Sequence, residues 1–309
     1  MATLDLSIII ISWNVRNLLI RALECVYATV QRSSFEVIVL DNASSDDSVA
    51  VVRERFPAVR MIVNQENIGF GRANNQGAAI AHGRYLLLLN PDAFVHTDTV
   101  DRLVAFMDTH PDAGSAGCKL LYEDGSLQRS VTAFPTVLTE LYTTLGLDRA
   151  FPQHPAFGHY KLTYWNMDDL RPVDALMGAC LILRRSVIDQ IGLFDEQFFM
   201  YSEEVDLCYR LRRTGWKNYF IPDVAATHIW GGSSRLVPQT TFLRLFRSRV
   251  QFFRKHYGSA NVVAYKLVLL AASIMRVIGG LLIFALRRDS HVIQMTQNYA
   301  SLLRVVPTL

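Results

Sequence analysis

Residues 85–92 read Tyr-Leu-Leu-Leu-Leu-Asn-Pro-Asp, and no other run constrains the fold of this 309-residue chain as tightly. Five large apolar residues in a row are too few for a helix and too continuous for a half-exposed strand. They predict a strand buried on both faces. Asn90-Pro91 ends it, because proline has no N–H to give to a central ladder. Asp92 is then the first charged side chain beyond the strand's carboxyl end, where open α/β sheets bind ligands. It is either a metal ligand or a turn residue bonded to its own backbone.

Upstream, strands and helices alternate. Leu6–Ile11 is a buried first strand ending in Ser12-Trp13-Asn14, and residues 15–30 carry Leu18, Leu19, Ala22, Leu23 and Val26 at helical spacing. Phe35–Leu40 is a second strand, followed by the polar loop Asp41–Ser48, whose later Ser and Asp residues are caps for a helix over 47–56. Met61–Val63 is a third strand, and Asn67-Ile68-Gly69-Phe70-Gly71 leads into a small-residue helix through Ala73, Gly77, Ala78 and Ala81. The alternation predicts an α/β domain with a mostly parallel, Rossmann-like sheet flanked by helices. Gly69 and Gly71 invite a dinucleotide site, but they follow strand three, and the third glycine of that fingerprint is missing.

Two features divide the rest. Residues 120–172 are proline-broken and aromatic-rich (Phe157, Tyr160, Tyr164, Trp165), so they are either a packed insertion or a pocket wall. Ala175–Leu183 is one further buried strand interrupted by Gly178, a position that marks a bulge or close approach to a ligand.

Residues 198–211 carry the sharpest chemistry. Ser202 is a natural N-cap, followed by Glu203, Glu204 and Asp206 in the first turn, where the helix dipole favours negative charge. At 100° per residue, Glu204 shares an apolar stripe with Leu207, Cys208 and Leu211. Glu203 lies off its edge, and Asp206 points away toward Arg210, its i,i+4 partner. A carboxylate buried at a helix start is a general-base candidate; otherwise it is a capping acid in a solvated turn. His228 ends an apolar run and precedes a Gly-Gly-Ser-Ser loop suited to phosphate oxygens.

Taken in order, Ser7–Asn14, Asp41–Asp46, Asn67–Gly77, Leu89–Asp92, Met177-Gly178-Ala179, Phe199–Arg210 and His228–Ser233 resemble the family 2 inverting glycosyltransferases of GT-A fold, particularly their bacterial rhamnosyltransferase-like branch. The resemblance implies a nucleotide-diphospho-sugar donor, with rhamnose from dTDP-rhamnose as the sugar that branch points to. It implies a glycan or lipid-linked acceptor in cell-surface polysaccharide synthesis. By the same resemblance, Ser12, Asn14, Asp41, Asn67, Arg72, Asn74, Asp92 and Ser233 would face the donor, and Met177, Gly178 and Trp230 the acceptor. Asp92 and His228 would hold a divalent cation (Mn or Mg) on the diphosphate, and Glu204 would take the acceptor proton, with Glu203 as the alternative. Two departures stand out. The usual Asp-x-Asp is Asn90-Pro91-Asp92, and the usual Glu-Asp pair is Glu203-Glu204.

Charge separates a tail from this body. Residues 241–309 hold 10 Lys/Arg and one acid, whereas residues 1–240 hold 21 Lys/Arg and 27 Asp/Glu. The expected domains are therefore a catalytic domain, 1–240, and a helical tail, 241–309. Residues 241–257 are basic and amphipathic, and Leu267–Ala285 is apolar apart from Arg276. The tail is expected to lie on an anionic membrane surface, on the cytoplasmic face of the inner membrane. The alternative is packing on the core or across a homodimer. No signal peptide is expected ahead of the first strand, four scattered cysteines read as reduced core residues, and no nucleic-acid partner is implied. The competing functions are a sugar nucleotidyltransferase, which wants a glycine- and arginine-rich loop after strand one, and a non-catalytic nucleotide-sugar-binding protein.

Overall fold

The structure, a computed structural model, describes residues 4–229, 238–287 and 290–309. The chain forms two compact units: residues 1–132 with 165–235, and residues 133–164 with 236–309. Residues 133–164 thus group with the helices that follow residue 236, and not with the strands on either side of them in sequence.

The first unit begins β1 (Leu6–Ser12), α1 (Arg16–Thr29), β2 (Phe35–Asp41), α2 (Ser48–Arg55), β3 (Arg60–Val63), α3 (Phe70–Ile80) and β4 (Tyr85–Leu89). It continues with β5 (Ala93–Val95), α4 (Thr99–Thr109), β6 (Ala113–Leu121), β7 (Leu127–Gln128) and β8 (Val131–Thr132). In the second unit lie α5 (Val137–Thr144) and α6 (Leu147–Ala150). The first unit resumes with β9 (Arg171–Val173), β10 (Ala175–Leu176), β11 (Cys180–Arg184), α7 (Arg185–Ile191), α8 (Glu203–Arg213) and β12 (Lys217–His228). Three helices end the second unit: α9 (Pro238–His256), α10 (Gly258–Arg287) and α11 (Ser290–Val305).

The main sheet runs β3-β2-β1-β4-β11-β6-β12-β5. Its first four strands are parallel, as are β6 and β12. β11 lies antiparallel between β4 and β6, a direction that a buried apolar run does not encode. All five residues of β4 are buried, as their continuous apolarity demands. α3 owes its small residues to proximity: a Cβ on Gly77 would stand 2.7 Å from Ile9 and 2.9 Å from Leu40, so the helix lies almost on β1 and β2.

Residues 175–183 are not one strand. β10 pairs with β8 in a separate two-stranded sheet, β11 joins the main sheet, and Met177-Gly178-Ala179 bridges them. Gly178 therefore marks a change of sheet. The four cysteines are free thiols, three of them buried.

In the second unit, a buried ion pair of 3.2 Å joins Arg249 on α9 to Glu140 on α5, and Arg249 also donates to the Tyr160 hydroxyl. Tyr142 and His154 pack on Phe157. α10 buries Val262, Tyr265, Leu269 and Ala272 along one face and exposes Val263, Leu267, Ile274, Ile278 and Leu282 along the other. Its residues Gly258–Ala285 are long and apolar enough to cross a membrane.

Candidate active site

The carboxyl ends of β1 and β4, the 177–179 bridge and the start of α8 surround a cavity of about 280 Å³. Ser12, Trp13, Asn42, Asn67, Asn90, Asp92, Met177, Gly178, Glu203, Glu204 and His228 are among the residues that line it. Of the aromatics in residues 120–172, Trp165 packs edge-on against Phe220 and Phe157 against Tyr142.

Asp92 is placed by the turn after β4, which closes through its backbone: Ala93 N–H donates to the Asn90 carbonyl at 3.0 Å. β5 then pairs antiparallel with β12, setting Ala93 opposite His228. This register brings His228 Nε2 to 3.3 Å from Asp92 Oδ1, with both side chains buried. Two groups that each bind one cation at 2.0–2.2 Å stand roughly 3 Å apart, so the spacing fits shared ligands. Asn90 Nδ2 lies 3.4 Å from the same Nε2. Among the described residues no cluster of three His, Cys, Asp or Glu could hold an ion alone. A cation here would need oxygens from a bound ligand, as hard divalent ions accept.

The acidic helix start departs from the helical-wheel expectation. Of the two glutamates, Glu203 is the buried one at 4% exposure, while Glu204 is only partly buried. The cause is that α8 is covered on several sides, packing against β10, β12 and α7. Burial first, and the neighbouring charge of Glu204 second, push the Glu203 carboxyl well above its ordinary range. Its Oε2 is buried without a hydrogen-bond partner. Ser202 is not a side-chain cap: its backbone is left-handed (φ 65°), as is that of Tyr201 (φ 71°), and its hydroxyl makes no capping bond. Two consecutive non-glycine residues at positive φ beside a cavity are a costly arrangement of the kind found at functional sites. Asp206 pairs with Arg210 at 2.8 Å as expected, but wholly buried. Arg210 also donates to the Ile191 and Gly192 carbonyls, tying α8 to the turn before it.

The glycosyl transferase family 2 model matches residues 7–192, more than half of the chain. The chain belongs to glycosyl transferase family 2. Relatives within reach of this family 2 chain include the N-acetylglucosaminyl-diphospho-decaprenol L-rhamnosyltransferase of Mycobacterium tuberculosis H37Rv, 30% identical over 204 residues, covering 62% of this chain and 66% of that protein. Rhamnosyltransferase WbbL of Escherichia coli K12 is 30% identical over 168 residues, covering 52% and 60%. The chain thus spans slightly under two-thirds of the length of these relatives. Among solved structures, the mannosyltransferase PcManGT of Pyrobaculum calidifontis, in complex with GDP-Man and Mn2+, superposes with a TM-score of 0.58 at 16% identity, covering 98% of this chain and 86% of that one. At that identity the likeness shows a shared fold.

Not every residue expected at the site of this family 2 protein reaches the cavity. Asn67 lines it and accepts from Gly69 N–H at 3.0 Å. Ser12 lines it with a buried hydroxyl that has no partner. Asp41 is outside the lining; its Oδ2 accepts from Ser44 N–H at 2.9 Å, while its Oδ1 is buried without a partner. Asn14 is also outside, its Oδ1 accepting from Ser45 N–H at 2.7 Å to brace the loop after β2. Arg72 pairs with Glu196 on the surface, and Asn74 donates back to the Phe70 carbonyl of its own helix. Trp230 and Ser233 fall outside the described residues. Gly69 serves packing: a Cβ there would lie 2.7 Å from the Phe199 carbonyl oxygen, so this glycine admits the segment before α8.

Trp13, Asn42, Met200 and Tyr201 are among the lining residues to which sequence reasoning gave no role. The first two directly follow strand ends, which is the one signal that could have found them.

Proposed function

We propose that this family 2 protein is an inverting, metal-dependent glycosyltransferase, transferring a sugar from a nucleotide-diphospho-sugar to a hydroxyl of a glycan or lipid-linked saccharide in cell-surface polysaccharide synthesis. The observation that carries this reading is that Glu204 and the Asp92–His228 pair line a single cavity at the strands' carboxyl ends. Rhamnose is the sugar that the names of the two rhamnosyltransferase relatives support, and dTDP-rhamnose is the donor proposed for it.

Glu204 takes the proton of the acceptor hydroxyl as that oxygen attacks the anomeric carbon and the nucleoside diphosphate leaves from the opposite side. Glu203 is the more deeply buried of the two, and burial favours its protonated form, which supports Glu204 for that role. Asp92 and His228 would hold a divalent cation, which supplies compensation for charge on the leaving diphosphate when bound. Met177 and Gly178, between the two sheets, form the acceptor side, and Ser12 and Asn67 the donor side.

The tail fits a lipid-linked acceptor. The exposed apolar face of α10 and the basic excess of residues 241–309 suit attachment to an anionic cytoplasmic membrane surface.

A thermal-shift panel of UDP-, dTDP- and GDP-sugars, with and without manganese, tests the donor assignment. A shift with one base, enlarged by manganese, is the expected outcome. NMR of the product's anomeric configuration then tests inversion, and a retained configuration would refute it.

A further inference from the structure

A cation between Asp92 and His228 requires a lone pair, not an N–H, at His228 Nε2. A neutral imidazole carries its proton on one nitrogen, and the partner of the other nitrogen decides which. In this chain that partner is Gln128, the last residue of β7, buried at 1% exposure. Its Oε1 lies 2.7 Å from His228 Nδ1.

The orientation of the Gln128 amide is itself determined. Its Nε2 donates to the main-chain carbonyl of His228 at 3.4 Å. A carbonyl oxygen can only accept, so the amide nitrogen must face it and the amide oxygen must face the ring. An amide oxygen also can only accept, so the proton belongs on Nδ1. The lone pair of Nε2 can then accept from Asn90 Nδ2, an amide donor 3.4 Å away, and a cation would be needed to bridge it to Asp92 Oδ1 at 3.3 Å.

Strand pairing explains how a residue 100 positions away comes to do this. β7 pairs with β6 through Gln128 opposite Leu120, and β6 pairs with β12 through Leu120 opposite Ala226. The glutamine is thus carried to the end of the strand that holds His228. It does not line the cavity, so a ligand there would meet only the imidazole it orients.

We propose that Gln128 is the positioning residue for His228, holding the imidazole as its Nδ1–H tautomer so that Nε2 faces Asp92 as a ligand. The proposal rests on the reading of Asp92 and His228 as a cation site. It is separable from that reading, because the tautomer can be measured without metal.

The test uses the full chain labelled with 15N-histidine, metal-free, at a pH where the imidazole is neutral. Long-range proton–nitrogen spectra report which ring nitrogen carries the proton, and His228→Gln identifies the signal by its loss. The wild type is expected to show the Nδ1–H form. Gln128→Leu, close in size but without an acceptor, is expected to shift His228 toward the Nε2–H form. It should also weaken manganese binding, measured calorimetrically with a nucleoside diphosphate present, by about 10- to 100-fold. Gln128→Glu, which keeps an acceptor, should retain the Nδ1–H form. A wild-type Nε2–H tautomer overturns the proposal even if no variant folds, and so does a Gln128→Leu protein that keeps Nδ1–H. If the tautomer behaves as stated but the wild type binds no manganese, Gln128 keeps its orienting role and the cation reading fails.

Discussion

His228 Nε2 lies 3.3 Å from Asp92 Oδ1 because the antiparallel ladder of β5 and β12 sets His228 opposite the residue after Asp92. A twelve-residue strand and a three-residue strand thus build the polar floor of the cavity. Asn90 stands where the family resemblance leads one to expect a second carboxylate, so Asp92 is the one carboxylate of the Asn90-Pro91-Asp92 turn.

Asp92→Ala and His228→Ala should each weaken manganese-supported binding of a nucleoside diphosphate at least tenfold, about 1.4 kcal/mol. Without manganese the variants should match the wild type. Isothermal titration with and without the metal checks this, and equal losses in both conditions would assign the residues to direct nucleotide contact instead.

Glu204→Gln should lower kcat by about 10²- to 10⁴-fold while donor affinity survives, since the base acts only as the acceptor proton departs. Glu203→Gln should be far milder. Steady-state kinetics beside donor titrations distinguish the two, and near-normal turnover in Glu204→Gln would move the base elsewhere.

Stability should report on Glu203 through pH. Its carboxyl is held well above the ordinary 4.5 by burial and by Glu204, so the folded state binds the proton more tightly than the unfolded one. The wild type therefore loses stability as pH rises from that value toward the folded pKa, by up to about 1.4 kcal/mol per pH unit. Glu203→Gln lacks this loss. Denaturation midpoints should show the variant gaining on the wild type as pH increases above 4.5, with no trend below it; a constant difference contradicts the burial argument.

Two glycines should separate folding from function. A Cβ on Gly83 would stand 2.4 Å from the Ser7 backbone nitrogen, which has no rotamer with which to yield, so Gly83→Ala should destabilise by about 3 kcal/mol or more. A Cβ on Gly178 would meet only ordinary contacts at 3.8 Å and beyond. Gly178→Ala should keep its melting temperature but lose turnover, because the methyl group enters the cavity at the 177–179 bridge.

The tail should bind anionic liposomes and release them at high salt only in part, since apolar insertion is unscreened. Replacing Leu267, Ile274 and Ile278 by Ser should abolish flotation with these vesicles. Unchanged flotation would leave the basic residues alone responsible, and a dimer that dissociates in this variant would point to a protein partner.

What the sequence alone determined is local. Continuous apolar runs placed β1, β2 and β4 because a strand buried on both faces admits nothing else, and the ends of β1 and β4 border the cavity. Asp92, Glu204 and His228 could be singled out because they lie at or just beyond the ends of apolar elements, and Asn67 through the family resemblance. Tertiary structure decided the rest. A helical wheel assumes one covered side, so it could not say that α8 is covered on several sides and hides Glu203. Spacing could not show that Asn14 and Arg72 engage Ser45 and Glu196, or that Asn74 donates to its own helix, so that none of the three lines the cavity. Nor could it reveal that β11 runs antiparallel, or that β7 delivers Gln128 to the imidazole of His228. Direction, pairing and coverage are contacts between distant segments, and apolarity is blind to them. Asp92 left the sequence as either a turn residue or a ligand; the pairing of β5 with β12, by setting His228 beside it, is the contact on which the proposed ligand role rests.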